Sequence, residues 1–215
     1  VGPVVLTRAD GGAFADAVRA AGFDVEQWPA VELIALPVAP EAIADVDVAL
    51  VISPAAARAL AGAPFPPGAR FVAQGPGTAA VLREQGRSVA LVASPSNRSG
   101  LVDAARSLAP NGPWHLFRGD LGAPLDAPDV LVVEHVVYEN RPPPDLGRDA
   151  RPLTAVVYAS PSAAHRMLAA NPWLSAVPTV VFGATTAAAL AGVDRFTPLP
   201  EPTPDALVRA ILELA

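Results

Sequence analysis

The sequence contains no cysteine and no lysine. The first absence removes disulfides, thiolate nucleophiles and thiolate zinc sites together, and it agrees with a reducing compartment. The second removes any phosphate loop of the GxxxxGK[ST] kind. Histidine is scarce: His115, His135 and His165 stand singly, none with a partner at metal-ligand spacing, so no metal site is expected. No unbroken apolar run of about 18 residues occurs, which excludes an evident membrane-spanning helix. No basic stretch followed by an apolar segment is seen at the start, so a secretory signal is not expected. Nor is there a basic patch. All 15 basic residues are arginines scattered along the chain, and a net charge of −6 with a pI near 5.0 argues against a nucleic-acid surface.

What is present reads as a globular α/β chain. Of 215 residues 52% are hydrophobic and 17% charged, enough for one large or two small domains with their own cores. Short apolar runs alternate with alanine-rich helical stretches. Val4 to Thr7 reads as a strand, followed by a helix from about Ala13 to Ala21 that stops at Gly22. Val25 to Trp28 and Val48 to Ile52 are further strands. The second of these leads through Ser53-Pro54 into a helix reaching Leu60. Phe71 to Ala73 leads into Gly75 and a helix ending before Gly86. Leu91-Val92, Trp114 to Phe117 and Val130 to Val133 continue the pattern. Continuous apolar strands separated by helices predict parallel sheets covered on both faces.

The second half echoes the first. Ser53-Pro54-Ala55-Ala56 resembles Ser160-Pro161-Ser162-Ala163 at an offset of 107 residues, Gly75 to Leu82 resembles Gly183 to Leu190 with Thr78 and Thr186 offset by 108, and Arg8 and Arg118 are offset by 110. Three echoes in one order predict two similar lobes. Extended Val31 to Ile34 runs into Pro37 to Pro40, and extended Val136 to Glu139 runs into Pro142-Pro143-Pro144. Such proline-rich exits read as semi-rigid connectors. The expected division is therefore 1–33 plus 141–215 for one lobe and 34–140 for the other.

Ser53-Pro54, Ser160-Pro161 and Thr203-Pro204 each place a hydroxyl at N-cap and proline at the first helical position. Thr78 and Thr186 fall in the first turns after Gly75 and Gly183, and Ser99 precedes the helix carrying Leu101 to Leu108. In a parallel sheet such starts lie at the carboxyl ends of the strands, where their unpaired N–H groups accept anions. Taken singly, each is an ordinary capping device. Together they suit a ligand with many anionic groups. Gly75-Pro76-Gly77 is no dinucleotide fingerprint, because the third glycine is missing and the loop does not follow the first strand.

At these residues the chain resembles the uroporphyrinogen-III synthase family. The likeness runs through Leu6-Thr7-Arg8, Ile52-Ser53-Pro54, Val72 to Ala79, Phe117 to Asp120, Val136-Val137-Tyr138, Ala159 to Ala163, Gly183 to Ala187 and Pro202 to Leu207. It implies an α/β fold of two flavodoxin-like parallel-sheet lobes joined by a two-stranded connector, with the ligand cleft between them. It also implies a hydro-lyase that closes hydroxymethylbilane to uroporphyrinogen III, losing water and inverting ring D, with no cofactor. By position, Tyr138 is the family's candidate acid for the departing hydroxyl. Arg8, Ser53, Gly75, Thr78, Ser160, Ser162, Gly183, Thr185 and Thr186 match segments that line the family's cleft. Two departures stand out: the segment after Asp120 reads as a short helix broken by Pro124 and Pro128, and the residues after Ser53-Pro54 are plain alanine.

On this reading the protein works as a cytoplasmic monomer that receives hydroxymethylbilane from hydroxymethylbilane synthase and touches neither membrane nor nucleic acid. Arg8 has two readings, a partner for a substrate carboxylate or for Asp10. Tyr138 has two as well, general acid or packed connector residue. A non-catalytic tetrapyrrole- or polyanion-binding regulatory domain is the rival function, and a two-lobed small-anion binder a more distant one.

Overall fold

A computed structural model describes residues 2–8, 11–109, 111–190, 193 and 196–214. The chain divides into two compact units, Val1–Glu32 with Arg141–Ala215, and Leu33–Asn140. The opening segment forms β1 (Val4–Leu6), α1 (Gly12–Ala20) and β2 (Val25–Gln27). The inserted segment forms β3 (Glu32–Ala35), β4 (Val48–Val51), α2 (Pro54–Ala59), β5 (Arg70–Ala73), α3 (Pro76–Glu84), β6 (Val89–Val92), α4 (Arg98–Leu108), β7 (Trp114–Gly119) and β8 (Val132–Arg141). The returning segment forms β9 (Ala155–Tyr158), α5 (Pro161–Ala170), β10 (Thr179–Phe182), α6 (Gly183–Ala188), β11 (Phe196–Leu199) and α7 (Pro204–Leu214). No helix among the described residues is long and apolar enough to cross a membrane.

Each unit is built on one sheet. In the first, five parallel strands lie in the order β11-β10-β9-β1-β2. In the second the order is β3-β8-β7-β4-β5-β6, with β4, β5, β6, β7 and β8 parallel to one another. Set β9, β10, β11, β1 and β2 against β4, β5, β6, β7 and β8, and the two orders coincide. The sequence echoes thus occupy equivalent places, because Ser53 and Ser160 follow β4 and β9 while Gly75 and Gly183 follow β5 and β10. The segments read as connectors at 31–34 and 136–139 are β3 and the distal half of β8, neighbours at the edge of the six-stranded sheet, where the Leu36 N–H donates to the Val137 carbonyl at 2.9 Å.

Strands covered on both faces need apolar side chains at every position. In β4 alternate residues serve opposite cores: Ala49 and Val51 face α2 and α3, while Val48 and Leu50 face α4. The first unit repeats this, with Val156 and Tyr158 of β9 toward α5 and α6, and Val157 toward α1 and α7. Helices α1 and α3 stop at Gly22 (φ +91°) and Gly86 (φ +73°), the left-handed conformation that ends a helix cheaply only with glycine.

Two local expectations are corrected. Residues 120–131 form no helix; Pro124 and Pro128 lack the N–H a helix ladder needs, and Leu125 and Ala127 instead pack into the core under α4. Helix α4 is capped by Asn97 rather than by a residue after it, since the Asn97 Oδ1 accepts from the Gly100 N–H at 2.9 Å and Ser99 sits inside the first turn. Asparagine caps as well as serine does.

The histidines expected to stand singly do not all do so. His115 Nδ1 and His135 Nε2 lie 3.0 Å apart on neighbouring strands, with His135 also stacked on Phe117 at 4.6 Å. Burial lowers the pKa of both; the neighbouring His115 lowers that of His135 further, and Asp45 raises each in part. In the unfolded chain each returns to about 6.5. As pH falls below that value the unfolded chain takes up protons that the folded chain refuses, so folding is weakened. Urea midpoints should therefore hold steady above pH 6.5 and fall below it, and His115→Gln should flatten that slope. An unchanged slope sinks the assignment.

Candidate functional site

The helix starts separate into two kinds. In the first, a side chain takes up a backbone donor: Ser53 Oγ accepts from the Ala56 N–H at 3.1 Å, Ser160 Oγ from the Ala163 N–H at 3.2 Å, and Thr203 Oγ1 from the Ala206 N–H at 3.2 Å. Each of these residues precedes a proline at the first helical position. Ser160 Oγ also lies 3.2 Å from Ser162 Oγ. These oxygens are engaged by their own helices. Ser53→Ala is accordingly expected to cost about 1 kcal/mol of stability, within the usual ~0.5–2 for an N-cap, read from a shifted denaturant midpoint.

In the second kind no side chain caps the helix. Helix α3 begins after Gly75, in extended conformation, and α6 begins at Gly183, with φ +77°; neither has a side-chain cap. The N–H groups of Gly77 and Thr78 are left for another acceptor at the positive end of α3. Thr78 and Thr186 are both buried to 3% exposure, whereas Thr185 is exposed. Around Gly75 the second unit forms a cavity of about 210 Å³ lined by Ile52, Pro54, Gln74, Gly77, Thr78 and Ser96. Ser96 Oγ stands 3.3 Å from the point a Cβ on Gly75 would occupy.

Sequence reading missed two of these residues. Ser96 arrives from the β6–α4 loop, 21 positions from Gly75, and carries no motif. Gln74 was visible only as part of the strand-to-glycine run. Its Oε1 is sealed from solvent without a hydrogen-bond partner among the described residues, an uncommon condition for a buried polar atom.

Register places the remaining candidates. Val51 pairs with Phe117, so Ser53 and Gly119 emerge side by side from β4 and β7; Gly119 pairs with Tyr138. The phenol rests on Gly119, where an added Cβ would meet Tyr138 Cζ at 2.4 Å and Oη at 2.7 Å. In the first unit Leu6 pairs with Val157, so Arg8 leaves β1 beside the Ser160 turn of β9. Arg8 is exposed, with its guanidinium 5.5 Å from the centre of the Phe14 ring. Its alternative partner Asp10 lies outside the described residues. In both units the helices change faces between these strands, the point at which parallel sheets bind ligands outside their carboxyl ends. Within the second unit Ser53, Gly75, Thr78 and Tyr138 share the carboxyl edge; within the first, Arg8, Ser160, Ser162, Gly183, Thr185 and Thr186 do. Tyr158, the other tyrosine, is fully buried with its hydroxyl unpartnered, and burial pushes its pKa up. It is no acid for exposed substrate. No group of three metal-ligating side chains occurs among the described residues.

A family model described as uroporphyrinogen-III synthase HemD matches residues 12–209. The fold is similar to that of the uroporphyrinogen-III synthetase from Helicobacter pylori (TM-score 0.69, 16% identity, 100% of each chain covered). It is also similar to a mutant uroporphyrinogen III synthase from the extremely thermophilic bacterium Thermus thermophilus (TM-score 0.64, 18% identity, 100% of this chain and 98% of that one). Comparison with curated proteins gives no match.

Proposed function

The chain belongs to the uroporphyrinogen-III synthase family; it is the hydro-lyase that closes hydroxymethylbilane to uroporphyrinogen III, and we propose that it does so by gripping the substrate's carboxylates on the carboxyl-edge turns of both its units. One observation carries this reading: the segments that resemble the family, from Thr7-Arg8 to Thr203-Pro204, lie at or just beyond the carboxyl ends of strands, save Val136 to Tyr138, which lies within β8 level with the end of β7. Random placement would scatter such segments over both edges. The donors offered there are chiefly backbone N–H groups, which bind carboxylates without net positive charge. An acidic chain can therefore hold a polyacid, since repulsion between distant charges is screened beyond about 8–10 Å at physiological salt.

The linear substrate closes unaided, but to the uninverted isomer, so the enzyme's task is geometric. Holding the substituted carbon of ring D against the terminal methylene can contribute as much as roughly 7–11 kcal/mol toward the barrier. Tyr138 donates its phenolic proton to the departing hydroxyl as the methylene C–O bond breaks. Water leaves, and the proton released when the macrocycle closes restores the phenol. Arg8, Thr185 and Ser162 on the carboxyl edge of the first unit, and Ser53, Gly75 and Thr78 on that of the second, are the candidate contacts for the substrate's carboxylates. The enzyme acts as a cytoplasmic monomer taking substrate from hydroxymethylbilane synthase. A coupled assay tests the whole: hydroxymethylbilane generated in place, this protein added, and the products oxidised should give type III uroporphyrin in large excess over type I. Type I alone would end the proposal.

A further inference from the structure

One guanidinium in the second unit has no acid of its own among the described residues. Arg98, the first residue of α4, is half-buried, and among the described residues its Nη1 reaches only the Pro124 carbonyl, at 3.4 Å. That distance is at the weak end for a hydrogen bond. Its Nη2 lies 3.4 Å from the place a Cβ on Gly122 would take, and the Cδ of Arg118 lies equally near that place. Two arginines therefore converge on the turn at 119–122. Arg118 is committed: it pairs with Glu134 Oε2 at 2.7 Å through Nε and Nη2, and Nη1 donates to the carbonyls of Gly119 and Asp120. One carboxylate thus faces two cations, and the uncompensated one is Arg98.

Burial and then Arg118 lower the pKa of Arg98, with Glu134 acting the other way. Arginine nonetheless keeps its proton in proteins, so the strain is relieved by an incoming anion rather than by proton loss. Space for one exists. Arg98 lines a cavity of about 240 Å³ with Ser99, Val102, Pro124, Asp103 and Asp126. Neither aspartate pairs with Arg98 among the described residues. Their charge confines an anion to the Arg98 end and disfavours a dianion more than a single carboxylate.

We propose that Arg98 is a carboxylate subsite, taking one acetate or propionate group of the linear tetrapyrrole and holding the chain beside the turn on which Tyr138 rests. The identity of the ligand rests on the function proposed above; the anion site itself does not. A planar guanidinium suits a carboxylate because it can offer two parallel N–H donors.

Uroporphyrin I, an unreactive octacarboxylate, is the probe, its binding followed by its own fluorescence. Arg98→Gln keeps an amide able to reach the Pro124 carbonyl but removes the charge. Its dissociation constant should rise about 10–100-fold, the worth of a charged hydrogen bond, with a shallower salt dependence. Arg98→Lys, which keeps the charge but not the two parallel donors, should lose less affinity than Arg98→Gln. With hydroxymethylbilane, KM should rise by a similar factor while kcat stays within about threefold of the parent. An unchanged dissociation constant in Arg98→Gln overturns the subsite. If that variant is less stable, Arg98→Lys decides: tighter binding than Arg98→Gln at equal folded fraction upholds the subsite, and an Arg98→Gln affinity lost only in proportion to its unfolded fraction removes it. An unmutated protein that yields excess type III, beside an Arg98→Gln variant with unchanged KM, leaves the enzyme standing and the subsite refuted.

Discussion

Tyr138→Phe is expected to lower kcat by about 10²–10⁴-fold, the usual worth of a positioned general acid. The change removes one oxygen and leaves the ring, which packs partly into the core of the second unit. No hydrogen bond of that hydroxyl is present among the described residues, so its loss orphans nothing and stability should move by less than about 0.5 kcal/mol. KM should change little, because the proton is needed as the C–O bond breaks and not in the bound ground state. Gly119→Ala provides the companion test. Its Cβ would stand 2.4–2.7 Å from Tyr138 Cζ, Cε2 and Oη, so the ring must shift while its chemistry is untouched. A comparable fall in kcat for both variants ties catalysis to where the phenol sits. Full activity in Tyr138→Phe makes the residue packing alone, and the acid must then be sought elsewhere on the same rim.

The fold was legible where one residue's neighbours along the chain decide its conformation. Val48–Val51 and Ala155–Tyr158 are short apolar runs buried throughout, and a buried parallel strand has no other signature. Ser-Pro marks the starts of α2 and α5 because the cap and the fixed proline φ are both local properties. Legibility ended where register decides. Val130 to Val133 and Val136 to Glu139 read as separate pieces, yet β8 runs unbroken through Val132–Arg141, since intervening Glu134 and His135 are answered by Arg118 and His115 on β7. Partners on another strand leave no trace in spacing. Arg98 and Gln74 were missed for the same reason: the first is one of 15 arginines that look alike along the chain, and the second differs from other glutamines by a sealed oxygen that only the folded chain creates. Asn97 displaced Ser99 as the α4 cap because several capping residues stand in a row at 94–99, and backbone φ rather than residue type chose between them.

The largest expected loss of stability comes from Trp114→Ala. Trp114 is wholly buried at the start of β7, in register with Val48 of β4, and its Nε1 donates to the Ala109 carbonyl at 2.7 Å. Truncation removes the ring, leaves a cavity beneath α4 and takes the shorter of two hydrogen bonds from that carbonyl, which keeps the Gly112 N–H at 3.3 Å. Such changes cost about 3–5 kcal/mol for the cavity and about 0.5–1.5 more for the lost hydrogen bond. Domains of this size have roughly 5–15 kcal/mol in all. The second unit should then be largely unfolded at 37 °C, carrying Gly119 and Tyr138 with it, and activity should vanish for a structural reason. Trp114→Phe keeps most of the volume and loses only the donor, so it should sit between the two. The remaining tryptophans, Trp28 and Trp173, lie together in the first unit with ring centres 6.3 Å apart. Fluorescence of Trp114→Ala therefore reports the first unit alone, while far-ultraviolet dichroism reports both. A dichroism signal already diminished at zero denaturant, beside an intact fluorescence transition, is the expected pattern. A loss below about 1.5 kcal/mol would mean that α4 closes over the gap and that the core of the second unit is more forgiving than its fully buried strands imply.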